Sequence, residues 1–161
     1  MQLITSDAIR LSHGLVVVRV EISRPLAPRK LCYRWYVIDH DWAITIHTDC
    51  GVIRIHIAAG FQFDGRSGGP AIDWLVPNLG TKEEIWAWAV HDVLGHGIYG
   101  GFAFTNDCLY WILRNLAKYP HWKAEAVRAA VSISDDWYGE PEPGDKSYPN
   151  LQLITVRHDA K

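Results

Sequence analysis

The chain has 161 residues, 48% apolar and 21% charged, a balance that suits one domain with its own hydrophobic core and excludes a disordered polymer. The formal net charge is −2 with both signs mixed along the chain, so no basic stripe tracks phosphates and nucleic-acid binding is disfavoured. Cys32, Cys50 and Cys108 are widely spaced and form no CxxC unit, which argues against the common structural zinc sites and against a disulfide framework, and suits a reducing compartment.

The start, "MQLITSDAIR", lacks the basic-then-apolar pattern of a signal peptide, and no apolar run approaches the ~18 residues of a membrane span. Residues 1–63 read as mainly β. "GLVVVRVEI" (14–22), "KLCYRWYVI" (30–38), "WAITIHT" (42–48) and "GVIRIHI" (51–57) are rich in β-branched and aromatic residues. In the last two, Trp42, Ile44, Ile46 and Ile53, Ile55, Ile57 alternate with more polar neighbours, which predicts one buried and one wetter face. The polar breaks "DHD" and "TDCG" between these strands favour an antiparallel meander. His47 and His56 fall on the wetter face and read as surface histidines rather than a ligand pair. The cluster Arg24, Arg29, Lys30, Arg34 is interrupted by prolines and reads as solvated.

Residues 64–80, "DGRSGGPAIDWLVPNLG", carry four glycines and two prolines and read as a loop. Thr81 with Glu84 is a capping-box signature that opens a helix ending near the Gly-rich 95–101 stretch. A second helix is expected over 105–119 with Thr105 as N-cap and Leu109, Ile112, Leu113 and Leu116 inward. A third spans about 121–137, with Val127, Ala130, Val131 and Ser134 inward. Residues 138–150 form a Pro/Gly linker, and "LQLITVR" closes the chain as a strand whose Gln152–Thr155 echoes Gln2–Thr5. Strands first, helices later and no βαβ alternation define an α+β fold over 1–161: an N-terminal antiparallel meander, a loop, a three-helix block and a C-terminal strand.

The chemistry concentrates in "AWAVHDVLG" (87–95). Projected on a helix, Ile85, Ala87, Trp88, Ala89, Val90, Val93 and Leu94 cover nearly the whole circumference, so this helix is buried. His91 and Asp92 are its polar exceptions. Being adjacent, they point in different directions and are expected to use partners from elsewhere rather than form a dyad. Asp64 ends a strand before a glycine-rich loop, Ser67 and Asp73 follow in that loop, and Asp107 stands in the expected first turn of the next helix. Such an aspartate also satisfies the helix dipole, and burial with loop-capping hydrogen bonds is an equally ordinary role for His91 and Asp92. His91 and His96 are five apart, which removes them from one face and from the zincin pattern. No G-x-S-x-G elbow or P-loop is present, and no nucleotide cofactor is expected.

The segments "GFQFDGRSGGPAIDWLVPNLG", "AWAVHDVLG" and "TNDCLYWIL" together resemble the phage-associated family known as domain of unknown function 1353, over about residues 50–137. Its pattern of an Asp-x-x-Ser turn, a Pro-containing loop, a His-Asp helix and a later Asp falls here on Asp64, Ser67, Pro70, His91, Asp92 and Asp107. The chain departs from it at Gly95, where a tyrosine-like residue is expected, and at Asn106, where alanine is more usual. A weaker similarity is to phospholipases A2, which also carry His-Asp on one buried helix and an Asp on the next. These resemblances imply His91 as general base, Asp107 as its orienter, and Asp92 with Asp64 as ligands of a divalent cation (calcium, magnesium or zinc). Ser67 and Asp73 would support the loop. The expected function is a phage-encoded, metal-assisted hydrolase of an ester or amide, with a cell-envelope component as one substrate class, located in the host cytoplasm or the virion. The alternative is a non-enzymatic virion or accessory protein that binds other virion proteins, with His91 and Asp92 purely structural.

Overall fold

The two strands with the strictest alternation form the middle of the main sheet. The computed structural model describes residues 16–23, 28–30, 36–63, 69–76, 81–95, 101–138 and 153–160. Its strands are β1 Val17–Ser23, β2 Arg29–Lys30, β3 Tyr36–Val37, β4 Trp42–Thr48, β5 Gly51–Ile57, β6 Gln62–Phe63 and β7 Ile154–Ala160. Its helices are α1 Gly69–Leu75, α2 Lys82–Gly95, α3 Gly101–Asn115 and α4 His121–Tyr138. One sheet runs β1-β4-β5-β7 and a smaller one β2-β3-β6, with every pairing antiparallel. The architecture is α+β, as the order of strands and helices predicts.

Register explains which face is buried. Ile44 lies opposite Ile22 and Ile55, Ile46 opposite Val20 and Ile53, and Ile55 opposite Val156. The isoleucines of β4 and β5 are completely buried, each contributing roughly 1.5–3 kcal/mol of hydrophobic stabilisation. Trp42 meets Trp86 of α2 edge-on at 6.5 Å between ring centroids, which places α2 against the apolar face of the sheet. Trp111 of α3 donates its indole N–H to the Val18 carbonyl at 3.0 Å, tying that helix to β1. At the turn after β5, Gly60 adopts φ +99°, a left-handed conformation that costs a side chain but not glycine; its N–H donates to the Ile38 carbonyl at 2.7 Å.

The opposite face of the sheet is polar. His47 hydrogen-bonds Glu21 at 3.0 Å, Arg19 pairs with Glu21 at 3.1 Å, and Arg54 and Arg157 both reach Asp159. His56 lies opposite Ala43 and His47 opposite Val52, so the two histidines occupy different rows. His56 approaches Asp41 at 3.5 Å. Arg29 of the basic cluster is held by Asp39 at 2.8 Å, whereas Arg24 and Arg34 lie outside the described residues.

Three boundaries differ from expectation. Helix α1 forms inside the expected 64–80 loop, because a proline in the first helical turn loses nothing that the turn could use, and Ile72 and Val76 are buried. Helix α3 begins at Gly101, four residues before the expected cap, because Phe104 and Thr105 are buried and extend its apolar face. The terminal strand is displaced three residues toward the C-terminus, to Ile154–Ala160. Residues 2–5 and 139–152 lie outside the described residues. No helix among those described is long and apolar enough to cross a membrane.

Candidate functional site

Helix α2 opens as its capping signature predicts: the Glu84 N–H donates to Thr81 Oγ1 at 3.2 Å. From Trp86 to Val90 every side chain is buried, and Val93 and Leu94 continue that burial. His91 is therefore held between apolar neighbours, its side chain 8% exposed and that of Asp92 14%. The edge of Trp88 packs against the imidazole at 5.8 Å between centroids.

A chain of hydrogen bonds leads from His91 through α3 to α4. His91 Nε2 is hydrogen-bonded to Asn106 Oδ1 of α3 at 3.0 Å. Asn106 Nδ2 donates to Ser132 Oγ of α4 at 3.1 Å, and the Ser132 hydroxyl donates to the Arg128 carbonyl one turn earlier at 2.9 Å. Asn106 is 2% exposed, so this chain runs through a region where an unsatisfied polar group would cost about 1–3 kcal/mol. On the other side of the ring, Nδ1 stands 3.7 Å from Asp92 Oδ1. That is longer than a hydrogen bond but within reach of a charge interaction. The expectation that adjacent helical residues diverge is thus corrected in part: their Cα–Cβ bonds diverge, while side-chain torsions bring the polar atoms to the same side.

The other expected residues sit elsewhere. Asp107 stands in the second turn of α3 and faces outward, accepting from Arg128 at 2.9 Å. Arg128 also donates to both oxygens of Glu125 at 2.8 Å and lies over the Tyr110 ring at 4.7 Å. The structure gives the hydrogen bond expected of Asp107 to its neighbour Asn106. Asp73 is exposed on α1. Asp64, Ser67 and His96 lie outside the described residues.

Asn106 and Ser132 escaped the sequence reading. With Thr105 taken as a cap, Asn106 becomes a solvated first-turn residue. With α3 starting at Gly101, it falls at i, i+3 and i+7 with buried Leu109 and Leu113, and a lone amide on such a stripe signals a buried partner.

Among the described residues no group of three or more His, Cys, Asp or Glu is placed to hold a metal ion. The nearest approach to one is His91 Nδ1 with Asp92 Oδ1, a nitrogen and an oxygen donor of the kind zinc accepts and a carboxylate of the kind calcium and magnesium prefer. Chemically, the arrangement offers a water-poor imidazole with one nitrogen anchored and the other beside a carboxylate. Searches of family models, of curated proteins and of solved structures find nothing that matches this chain.

Proposed function

We propose that the chain is a small hydrolase of ester or amide bonds, with His91 as general base and Asp92 as the carboxylate that holds a divalent cation beside it. The observation that supports this most is the buried imidazole anchored on one nitrogen and set 3.7 Å from a carboxylate on the other. His91 takes a proton from water as the water oxygen bonds to the carbonyl carbon. The same proton then passes to the leaving oxygen or nitrogen as its bond to carbon breaks. When bound, the cation would supply Lewis-acid polarisation of the carbonyl. With His91 Nδ1 reserved as the base, Asp92 is its one donor proposed among the described residues, and it would need further oxygen ligands, for which Asp64 is the proposed candidate. Phage origin, a cell-envelope substrate and a cytoplasmic or virion location belong to this proposal through the resemblance of the 50–137 segment alone.

The test uses purified full-length chain, p-nitrophenyl esters and purified peptidoglycan, with calcium, magnesium or zinc added singly. Cation-dependent hydrolysis is expected, lowered about 10²- to 10⁴-fold by His91→Gln and lost in Asp92→Asn, with melting temperatures close to wild type. Absence of hydrolysis with every cation, or variants that only unfold, would show the pair to be structural.

A second reading is favoured by a different observation. Trp74 on α1 is 79% exposed, and Trp122 and Ile133 on α4 are 65% and 62% exposed, apolar surface of the sort that protein partners cover. Native mass spectrometry with metal analysis separates the readings. A stoichiometric cation supports the hydrolase, and a metal-free chain bound to virion proteins supports an accessory role.

A further inference from the structure

The hydrogen bonds that cross the three helices have a direction, and that direction reaches the imidazole. Ser132 sits one turn after Arg128 and donates its single hydroxyl proton to the Arg128 carbonyl at 2.9 Å, a common back-bond of helical serine. With that proton committed, Ser132 Oγ can only accept from Asn106. The Asn106 group facing it at 3.1 Å is therefore the amide nitrogen, which leaves the amide oxygen facing His91 Nε2 at 3.0 Å. An amide oxygen only accepts, so Nε2 must carry a proton. The reverse assignment would point the Asn106 oxygen at a serine oxygen whose proton is already used, a buried clash of acceptors.

We infer that Asn106 is a positioning residue that locks His91 in the Nε2–H form, which leaves Nδ1, the nitrogen beside Asp92, without a proton in the neutral ring. Nε2 keeps its proton in the neutral and in the charged ring alike. An aspartate in the Asn106 position would instead place a second negative charge at a site only 2% exposed. The amide fixes the tautomer without that desolvation cost. Asn106 thus supplies orientation.

The consequence for rate rests on the hydrolase reading, while the tautomer does not. The experiment is two-bond ¹H–¹⁵N correlation NMR of histidine-labelled full-length chain, at a pH where the ring is neutral. Wild type is expected to show His91 protonated on Nε2 and bare on Nδ1. Asn106→Leu should release the ring to a mixture of tautomers, and Asn106→Asp, which keeps an acceptor there, should restore Nε2–H. Ser132→Ala removes the acceptor that sets the direction of the amide and should also shift the ring toward a mixture, which keeps the test open if Asn106→Leu does not fold. On an active substrate, Asn106→Leu should lower kcat about 10- to 100-fold with KM unchanged, and Asn106→Asp should recover part of it. A wild-type Nδ1–H form, or a tautomer unmoved by both Asn106→Leu and Ser132→Ala, overturns the inference. An Nε2–H ring in a chain that hydrolyses nothing would sink the hydrolase and leave the tautomer lock standing. An Nδ1–H ring in an active hydrolase would do the opposite.

Discussion

Asn106 and Asp107 are neighbours in sequence with opposite surroundings, and the contrast gives them different weights. Asn106 is buried and spans His91 and Ser132. Removing it leaves the Nε2–H and the serine oxygen without their partner, at about 1–3 kcal/mol. Asp107 is 43% exposed on its side chain and its ion pair with Arg128 is matched by the Glu125 pair beside it, so solvent screening and redundancy reduce its value to below about 1 kcal/mol. Urea unfolding of Asn106→Ala and Asp107→Ala should therefore show a clear loss of midpoint for the first and a change within about 1 kcal/mol for the second. Equal losses would mean that Asp107 is more deeply engaged than its exposure indicates. The same contrast explains why an acidic residue was the natural sequence candidate. Carboxylates announce chemistry by type, whereas an asparagine announces it only once its helix face is known.

At the scale of elements, α3 ends in an unusual way. Lys118 has φ 61°, a left-handed conformation that costs a non-glycine residue about 1–2 kcal/mol. It is held there because the Tyr119 N–H returns to the Leu113 carbonyl at 2.9 Å while Ala117 caps Ile112 at 3.0 Å. Lys118→Gly should raise stability by about 0.5–1 kcal/mol, since glycine removes the steric cost, offset in part by the unfolded-state entropy it adds. Lys118→Val should lower it, and a destabilised glycine variant in thermal melts would refute this account. Strands β4 and β5 were legible to the residue because a period of two allows one register when one face is buried. Helix α4 was legible for a similar reason, its buried Ala124, Val127 and Val131 recurring at helical spacing. Helix α1 was not, because glycine and proline mark both loops and helix starts, and its Ile72, Leu75 and Val76 are too few to reveal a period. The start of α3 was hidden by the same ambiguity at Gly100 and Gly101, followed by a threonine that looks like a cap.

For the whole molecule, the distribution of perturbed groups predicts an asymmetric response to pH. On the acid side, Glu21, hydrogen-bonded by His47, Asp39, hydrogen-bonded by Arg29, and Asp49, bonded by the Val16 N–H, all sit below their ordinary values of 4.5 and 3.8. Each contributes stability that is present above those values and is lost as pH falls through the folded ones. All three lie at the surface, so their loss is screened and mild. On the alkaline side the groups are inside. Burial pushes the Cys108 thiol well above its ordinary 9.0, with the Asp107 carboxylate adding to the effect. Burial also raises the Tyr119 hydroxyl above its ordinary 10.0, with the charge and hydrogen bond of Glu84 reinforcing it. The unfolded chain releases these protons at the ordinary values, while the folded chain keeps them. The contribution of these two groups is therefore complete below pH 9.0 and falls as pH rises, first through the thiol and then through the phenol. Denaturant midpoints should hold steady through the neutral range and decline from about pH 9, more steeply above about pH 10. Cys108→Ala lowers the neutral midpoint by leaving a small cavity, but its curve should stay flat until the phenol begins to titrate. A Cys108→Ala curve parallel to wild type between pH 9 and 10 would show that the thiol does not carry the first decline.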